Sequence, residues 1–134
     1  MNFLLVNGLY ARVDKMYKAI YKLRNYLKHW VNLRKVSKVG VNSELLAKIE
    51  VRQIGGHISV GDNSLINGHI VTELNSSLIK VGNNVYIGGN TVIDCVEKIT
   101  IEDDVLISYD CQLSDSDNHS IYYETRKNDL SDWR

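Results

Sequence analysis

The sequence predicts a mainly β fold, a solenoid of stacked parallel coils, preceded by an N-terminal amphipathic α-helix. Three observations carry that prediction. Apolar residues recur every three or four positions from Leu9 to Trp30. Segments beginning at Val39, Val60, Val81 and Ile101 align with one another at offsets of 21, 21 and 20 residues. The charge is divided between these two regions: residues 1–38 hold nine Lys or Arg against Asp14 alone, while the remainder holds seven against fifteen acidic groups. A chain of zero net charge therefore consists of a +8 part and a −8 part. Asymmetry of this kind marks two structural units with different surroundings. The expected organisation is a basic helical segment over 1–38, β-coils over 39–119 and a loop or tail over 120–134.

The helix comes first. Leu9, Val13, Met16, Ile20, Leu23, Leu27 and Trp30 are spaced 4, 3, 4, 3, 4 and 3 apart, which lines one face of a helix and contradicts the alternation of a strand. Asn7-Gly8 supplies an expected start, and Lys28, Arg34 and Lys35 suit the negative end of the helix dipole. Tyr10, Tyr17, Tyr21 and Tyr26 widen or flank the stripe. The ordinary use of such a face is packing on the rest of the protein or on a partner subunit. A basic helix lying on an anionic membrane surface is the second reading. Nucleic-acid binding comes last, because no recognised binding module accompanies the charge.

The acidic unit is a repeat. Val60-Gly61-Asp62-Asn63-Ser64-Leu65-Ile66, Val81-Gly82-Asn83-Asn84-Val85-Tyr86-Ile87 and Ile101-Glu102-Asp103-Asp104-Val105-Leu106-Ile107 are clear copies, and Val39-Gly40-Val41-Asn42-Ser43-Glu44-Leu45 is a fainter one. Inside each copy runs a period of six: Val60 to Ile66, Val81 to Ile87 to Ile93, Ile101 to Ile107 to Leu113. Three steps of six plus a few extra residues describe a coil with three flat faces. The extra residues are expected at one corner, near 73–80 and 95–98. Each step holds a short strand with an inward apolar residue, then a turn in which Gly, Asn or Asp tolerates unusual backbone angles. Ser64, Val85, Thr91 and Val105 are small or β-branched where little inner space remains. One coil cannot bury its apolar side, but stacked coils share a continuous core.

Composition narrows the classes. The chain has 134 residues, 44% hydrophobic and 24% charged, enough for one domain with a modest core. Its longest uncharged apolar run is Phe3-Leu4-Leu5-Val6, far short of a membrane span. No segment has the layout of a secretory signal peptide, and Cys95 and Cys111 are too few for a disulfide scaffold, so a reducing cytoplasm is the expected compartment. Cys111 falls on the inward small-residue position of Thr91 and is expected to be buried. Cys95 falls at another corner, where no disulfide is expected.

These hexapeptides, an aliphatic residue, Gly, two variable residues and a small one, resemble those of the left-handed parallel β-helix acyltransferases. The left hand is implied by that resemblance alone. Ile107-Ser108, Asp115-Ser116-Asp117-Asn118-His119-Ser120-Ile121 and Thr125-Arg126-Lys127-Asn128-Asp129-Leu130 resemble the bacterial sugar O-acetyltransferases of polysaccharide and lipopolysaccharide synthesis. The similarity extends from Val60 onward. It implies an acetyl-CoA-dependent O-acetyltransferase, acetyl-CoA as cosubstrate without a metal, a sugar or glycan acceptor, and a homotrimer with the cosubstrate between subunits. It also implies further coils after the His119 loop, which this sequence lacks, so the chain reads as a truncated member with at best weak activity.

The same resemblance assigns roles. His119 is the expected catalytic base. It stands six beyond Leu113, where the repeat would place another inward apolar residue, so the chain is expected to leave the coil there. A neutral imidazole can take the proton of a sugar hydroxyl and later surrender it, with Asp117 or Asp115 supporting the ring. Asn90 and Asp94, in Gly88-Gly89-Asn90-Thr91-Val92-Ile93-Asp94, resemble the Asn-x-Val-Ile pattern that hydrogen-bonds acceptor sugars, though both residue types also occupy ordinary corners. Ser108 is the candidate for the approach of the pantetheine arm of the cosubstrate. A zinc reading of the histidines is disfavoured, since catalytic zinc needs three converging ligands. His69 shares a repeat position with Asn90 and Asp110, a column with a single histidine. The alternative function is a non-catalytic β-helix remnant that only assembles or binds. The expected location is cytoplasmic, with peripheral contact at the inner face of the membrane through the basic helix.

Overall fold

The period of six becomes three short strands per coil. The computed structural model describes residues 3–117 and 119–128, with side chains from Arg12 onward. The side chains of Leu9 and Tyr10, and Asn118, Asp129, Leu130 and the rest of the predicted tail, lie outside the described residues. The first coil is β1 (Lys38–Val39), β2 (Glu44–Leu45) and β3 (Lys48–Val51). The second is β4 (His57–Val60), β5 (Leu65–Ile66) and β6 (His69–Thr72), and the third β7 (Leu78–Val81), β8 (Tyr86–Ile87) and β9 (Val92–Cys95). The fourth is β10 (Lys98–Ile101), β11 (Leu106–Ile107) and β12 (Gln112–Ser114). Like strands of successive coils pair in parallel into three four-stranded sheets: β1-β4-β7-β10, β2-β5-β8-β11 and β3-β6-β9-β12. The faint copy at Val39 is thus a full coil.

Register carries the core. Leu45, Ile66, Ile87 and Ile107 form one inward column. Ile49, Ile70, Ile93 and Leu113 form another. Leu45, Ile58, Ile66, Ile70, Ile79, Ile87 and Ile93 are fully buried, each contributing about 1.5–3 kcal/mol of hydrophobic stabilisation. In the fourth coil Ile99, Val105, Ile107 and Leu113 are only half-buried, because no described coil stacks on them. The described tail does not cover that end: Ile121, Tyr122 and Tyr123 are exposed, and α2 (Tyr123–Arg126) buries no residue.

The three corners differ. From the first sheet to the second, every coil turns over four residues, whose third is left-handed Asn42, Asn63, Asn84 or Asp104, with φ of 54–60°. Side-chain oxygens of the next coil seal this corner: Asp62 accepts from Val41 N–H at 2.8 Å, Asn83 from Asp62 at 2.8 Å, and Asp103 from Asn83 at 2.7 Å. From the third sheet to the first, the connections are 52–56, 73–77 and 96–97, which is the predicted corner of variable length. From the second sheet to the third, the first two coils use two residues and the last two use four. The last two keep the step of six, and the unforeseen shortening in the first two corrects the histidine column. His69 lies on β6 opposite Lys48 and Val92, whereas Asn90 and Asp110 are left-handed corner residues with φ of 58° and 56°.

The helix α1 runs from Phe3 to Asn32. It passes through Asn7-Gly8 rather than starting there, since one interior Gly costs only about 1 kcal/mol and Phe3-Leu4-Leu5-Val6 extends the helix beyond it. Its attachment to the solenoid overturns the intramolecular part of the ordinary reading. Asn25 and His29 are half-buried and Asn32 is buried, while Met16, Ile20, Leu23, Leu27 and Trp30 are all exposed. The contact is polar. Asn32 Nδ2 donates to the carbonyls of Leu45 and Ala47 at 2.9 Å, Leu45 N–H donates to His29 Nδ1 at 3.1 Å, and Lys35 Nζ donates to the carbonyl of Ile49 at 2.8 Å. These groups satisfy the free strand edge of the first coil, where open backbone would otherwise recruit other chains.

The corners and the cap generate three stability predictions. A Cβ on Gly61 would sit 2.5 Å from Asn83 Oδ1 and 2.6 Å from the Gly82 carbonyl. Gly61→Ala should therefore lower unfolding stability by about 1–3 kcal/mol through overpacking. Glu102, at the equivalent position with no described coil above it, should tolerate alanine within about 0.5 kcal/mol. Asn32→Ala should cost about 1–3 kcal/mol, because two buried carbonyls lose their donor. Chemical denaturation with matched m-values tests all three.

Candidate functional site

Strand alternation puts the chemistry of the solenoid on the outer face of the third sheet. Inward positions there are apolar or Thr, so Lys48, Glu50 and Arg52, then His69, Val71 and Glu73, then Val92 and Asp94, point outward in stacked rows. Val71 lies between Glu50 and Asp94 in the ladder and is only 3% exposed. Two polar groups surround it. His69 Nε2 and Lys48 Nζ each lie 2.8 Å from Glu50 Oε2. The hydrogen bond from Lys48, reinforced by that from His69, holds the Glu50 carboxyl down to about 2.

The second group contains a predicted residue. Arg52 Nη1 donates to both oxygens of Glu73, at 2.6 and 2.8 Å. Asp94, half-buried on β9, lies beside Glu73, and its Oδ1 is buried without a donor among the described residues. Burial raises the Asp94 pKa, and the adjacent Glu73 carboxylate raises it further, against a smaller opposing pull from Arg52. Two carboxyl groups placed side by side favour sharing one proton. Such a pair can both donate to and accept from a hydroxyl.

The other predicted residues fall at two corners. Asn90 and Ser108 stand where the chain enters the third sheet, both exposed. Ser108 is stacked over Gly88, and its carbonyl accepts from Thr91 Oγ1 at 2.7 Å. Asp94 and Asp115 stand at the opposite end of β9 and β12, near enough to interact electrostatically. The fold thus brings Asp94 and Asp115 together and separates them from Asn90 by the length of β9. Asp115 has a structural duty: its carboxylate accepts from the N–H groups of Val96, Glu97 and Lys98 at 2.7, 2.8 and 2.6 Å. Burial works to raise its pKa, but the three donors prevail and hold it below the ordinary value. Asp117 and His119 are exposed on the segment that follows β12.

Sequence reasoning missed Arg52, Glu73 and Glu50, and weighed His69 only as a metal ligand. A signal was present in the first coil alone, where charged residues alternate with apolar ones in Lys48–Arg52. Only coil-to-coil register aligns those residues with Asp94. The cysteines are both free; Cys95 is fully buried, and Cys111, expected to be buried, is only half-buried. Cys111 does stack on Thr91 as the repeat implied, its N–H lying 3.3 Å from Thr91 Oγ1, but it belongs to the uncovered fourth coil. Burial pushes the Cys95 thiol up to about 11, so it is no thiolate at neutral pH. Among the described residues no three His, Cys, Asp or Glu side chains form a metal-binding group.

The raised Asp94 pKa has a definite sign. Its stabilising contribution is full below the ordinary carboxylate range and is lost as pH rises through the raised folded-state value. Asp94→Asn should therefore remove this loss, so that its melting temperature gains on the parent as pH rises from about 4 to about 7. Parallel thermal melts across that range measure the difference; a constant gap would contradict the shared-proton arrangement. No protein-family model, curated protein or solved structure matches this chain.

Proposed function

We propose that this chain is an acetyl-CoA-dependent O-acetyltransferase acting on a sugar hydroxyl in bacterial surface polysaccharide or lipopolysaccharide synthesis. The observation that carries the reading is the in-register stacking of β12 on β9, with Ser114 opposite Asp94. The strand bearing the half-buried carboxyl is stacked directly against the strand that leads, five residues later, to His119. The fold supports the reading too, since a parallel solenoid of this repeat is the architecture of the enzymes it resembles.

In this mechanism Asp94, with Glu73 as its partner, holds acceptor hydroxyls by donating and accepting hydrogen bonds. The His119 imidazole takes the proton of the reacting hydroxyl as its oxygen attacks the acetyl thioester carbonyl. The carbon–sulfur bond then breaks, and the imidazolium returns the proton to the leaving thiolate, so charge and protons balance. Asn90 and Ser108, at the other corner, belong to a second subunit's share of the site in a homotrimer. The outer face of the second sheet, where Leu65, Tyr86 and Leu106 stack, offers an apolar surface for that assembly.

The alternative, a solenoid that assembles or binds without catalysis, is favoured by two observations. Asp115 is committed to the 96–98 corner, and Asn90 has the left-handed backbone of an ordinary turn residue. Acetyl transfer to simple sugars distinguishes the two. The expected result is acetyl-CoA-dependent turnover that falls by about 100-fold or more in His119→Ala, with a raised KM in Asp94→Ala. Turnover unchanged by His119→Ala, or no acetyl-CoA binding, overturns the enzymatic reading.

A further inference from the structure

The helix α1 docks by the wrong face for a core-forming helix. At about 100° per residue, Asn25, His29 and Asn32 lie together on the side that meets the first coil. Met16, Ile20, Leu23 and Leu27 lie on the roughly opposite side. The hydrogen bonds of His29 and Asn32 to the first coil fix this orientation. The apolar stripe is thereby held outward, with Met16, Ile20, Leu23 and Leu27 each 52–60% exposed.

What surrounds the stripe identifies its occupant. The only acid on the segment, Asp14, is paired with Lys18 at 2.7 Å. Arg12 and Lys15 flank the stripe on one side, and Arg24 and Lys28 on the other, as helical spacing requires. Trp30 closes the stripe with Arg34 stacked on its ring at 4.1 Å, an amphipathic pair of the kind that sits at a membrane–water boundary. Beside it, a groove of about 520 Å³ runs between helix and first coil, with Leu27, Val31 and Ile49 in its walls and Arg24, Lys28 and Lys48 around them. Apolar surface edged by cations matches acyl chains beneath anionic headgroups.

We infer that α1 binds the surface of an anionic lipid bilayer, lying in the interface with its stripe toward the acyl chains. A second copy of the helix is a poorer occupant, because each copy brings a segment of charge +8 to the contact. Crossing is not involved: among the described residues no helix is long and apolar enough to span a membrane. The −8 charge of the remaining chain is repelled by the same surface, so the division of charge orients the protein with α1 down and the solenoid in water. This inference is independent of the acetyltransferase reading.

The test uses the full chain carrying Trp133→Phe, which leaves Trp30 as the single tryptophan. It is mixed with vesicles of phosphatidylcholine alone, or of phosphatidylcholine with about one-third phosphatidylglycerol. Binding to the anionic vesicles should shift Trp30 emission to the blue, and should weaken at high salt and on neutral vesicles by about tenfold or more. Lys15→Ala with Lys28→Ala should weaken it by about fivefold for each cation removed. Ile20→Ser with Leu27→Ser, both at exposed positions, should abolish the shift. Equal binding to both vesicle types, or binding to neither, overturns the inference. So does a lipid-free oligomer, seen by light scattering, that Ile20→Ser with Leu27→Ser dissolves, since the stripe would then belong to a second copy.

Discussion

Every coil turns from its first sheet into its second over the same four residues, and the stacking of the coils depends on that turn. A left-handed Asn or Asp reverses the chain at low cost. The residue before it sends a side-chain oxygen to a backbone N–H of the coil below. Ser43 and Ser64 extend the ladder inside: each hydroxyl donates to a carbonyl of the next coil and accepts one of its N–H groups. Backbone groups that a turn would leave unpaired are thereby satisfied between coils. The coils must then sit in register, because a slip of one residue would break the ladder and turn the isoleucine columns outward. The other two corners vary in length.

That register places the chemistry. Arg52, Glu73 and Asp94 come from three coils, and no two of them are close in sequence. They meet only because β3, β6 and β9 align residue by residue. The rigid sheet holds two carboxyls together where isolated side chains would swing apart. It also leaves Asp94 half-buried beside the buried Val71, where water cannot fully solvate its charge. A similar economy acts at the corner below, where Asp115 closes the 96–98 turn with three backbone hydrogen bonds. Function on such a scaffold belongs to the outer face and to the segments leaving the coils, since the inner face is filled with apolar side chains.

The helix shows the same division between polar attachment and apolar surface. A solenoid exposes strand edges at its first coil, and those edges need hydrogen-bond donors and acceptors rather than apolar cover. Asn32, His29 and Lys35 meet that need. An apolar face laid there would have left the carbonyls of Leu45, Ala47 and Ile49 unsatisfied. The attachment of α1 to the coil and the outward turn of its stripe are therefore two results of one constraint.

The sequence by itself determined the elements and their repeat. The six-residue spacing of aliphatic residues, the Asn and Asp turns and the 21-residue offsets specify a coil and its stacking, because each signal is local or strictly periodic. The 3.6-residue spacing of Leu9–Trp30 specified the helix in the same way. The candidate site was legible only in part: Asp94 could be singled out within its own segment, but Glu73 and Arg52 could not. Two features were decided by the tertiary structure alone. The corner before β3 and β6 is two residues shorter than the repeat, which takes His69 out of the column of Asn90 and Asp110. The demand of the first coil's open edge turned the polar face of α1 inward. Neither has a local signature, because register and edge satisfaction are properties of neighbouring coils, and the residues that settle them lie 13 to 21 positions apart.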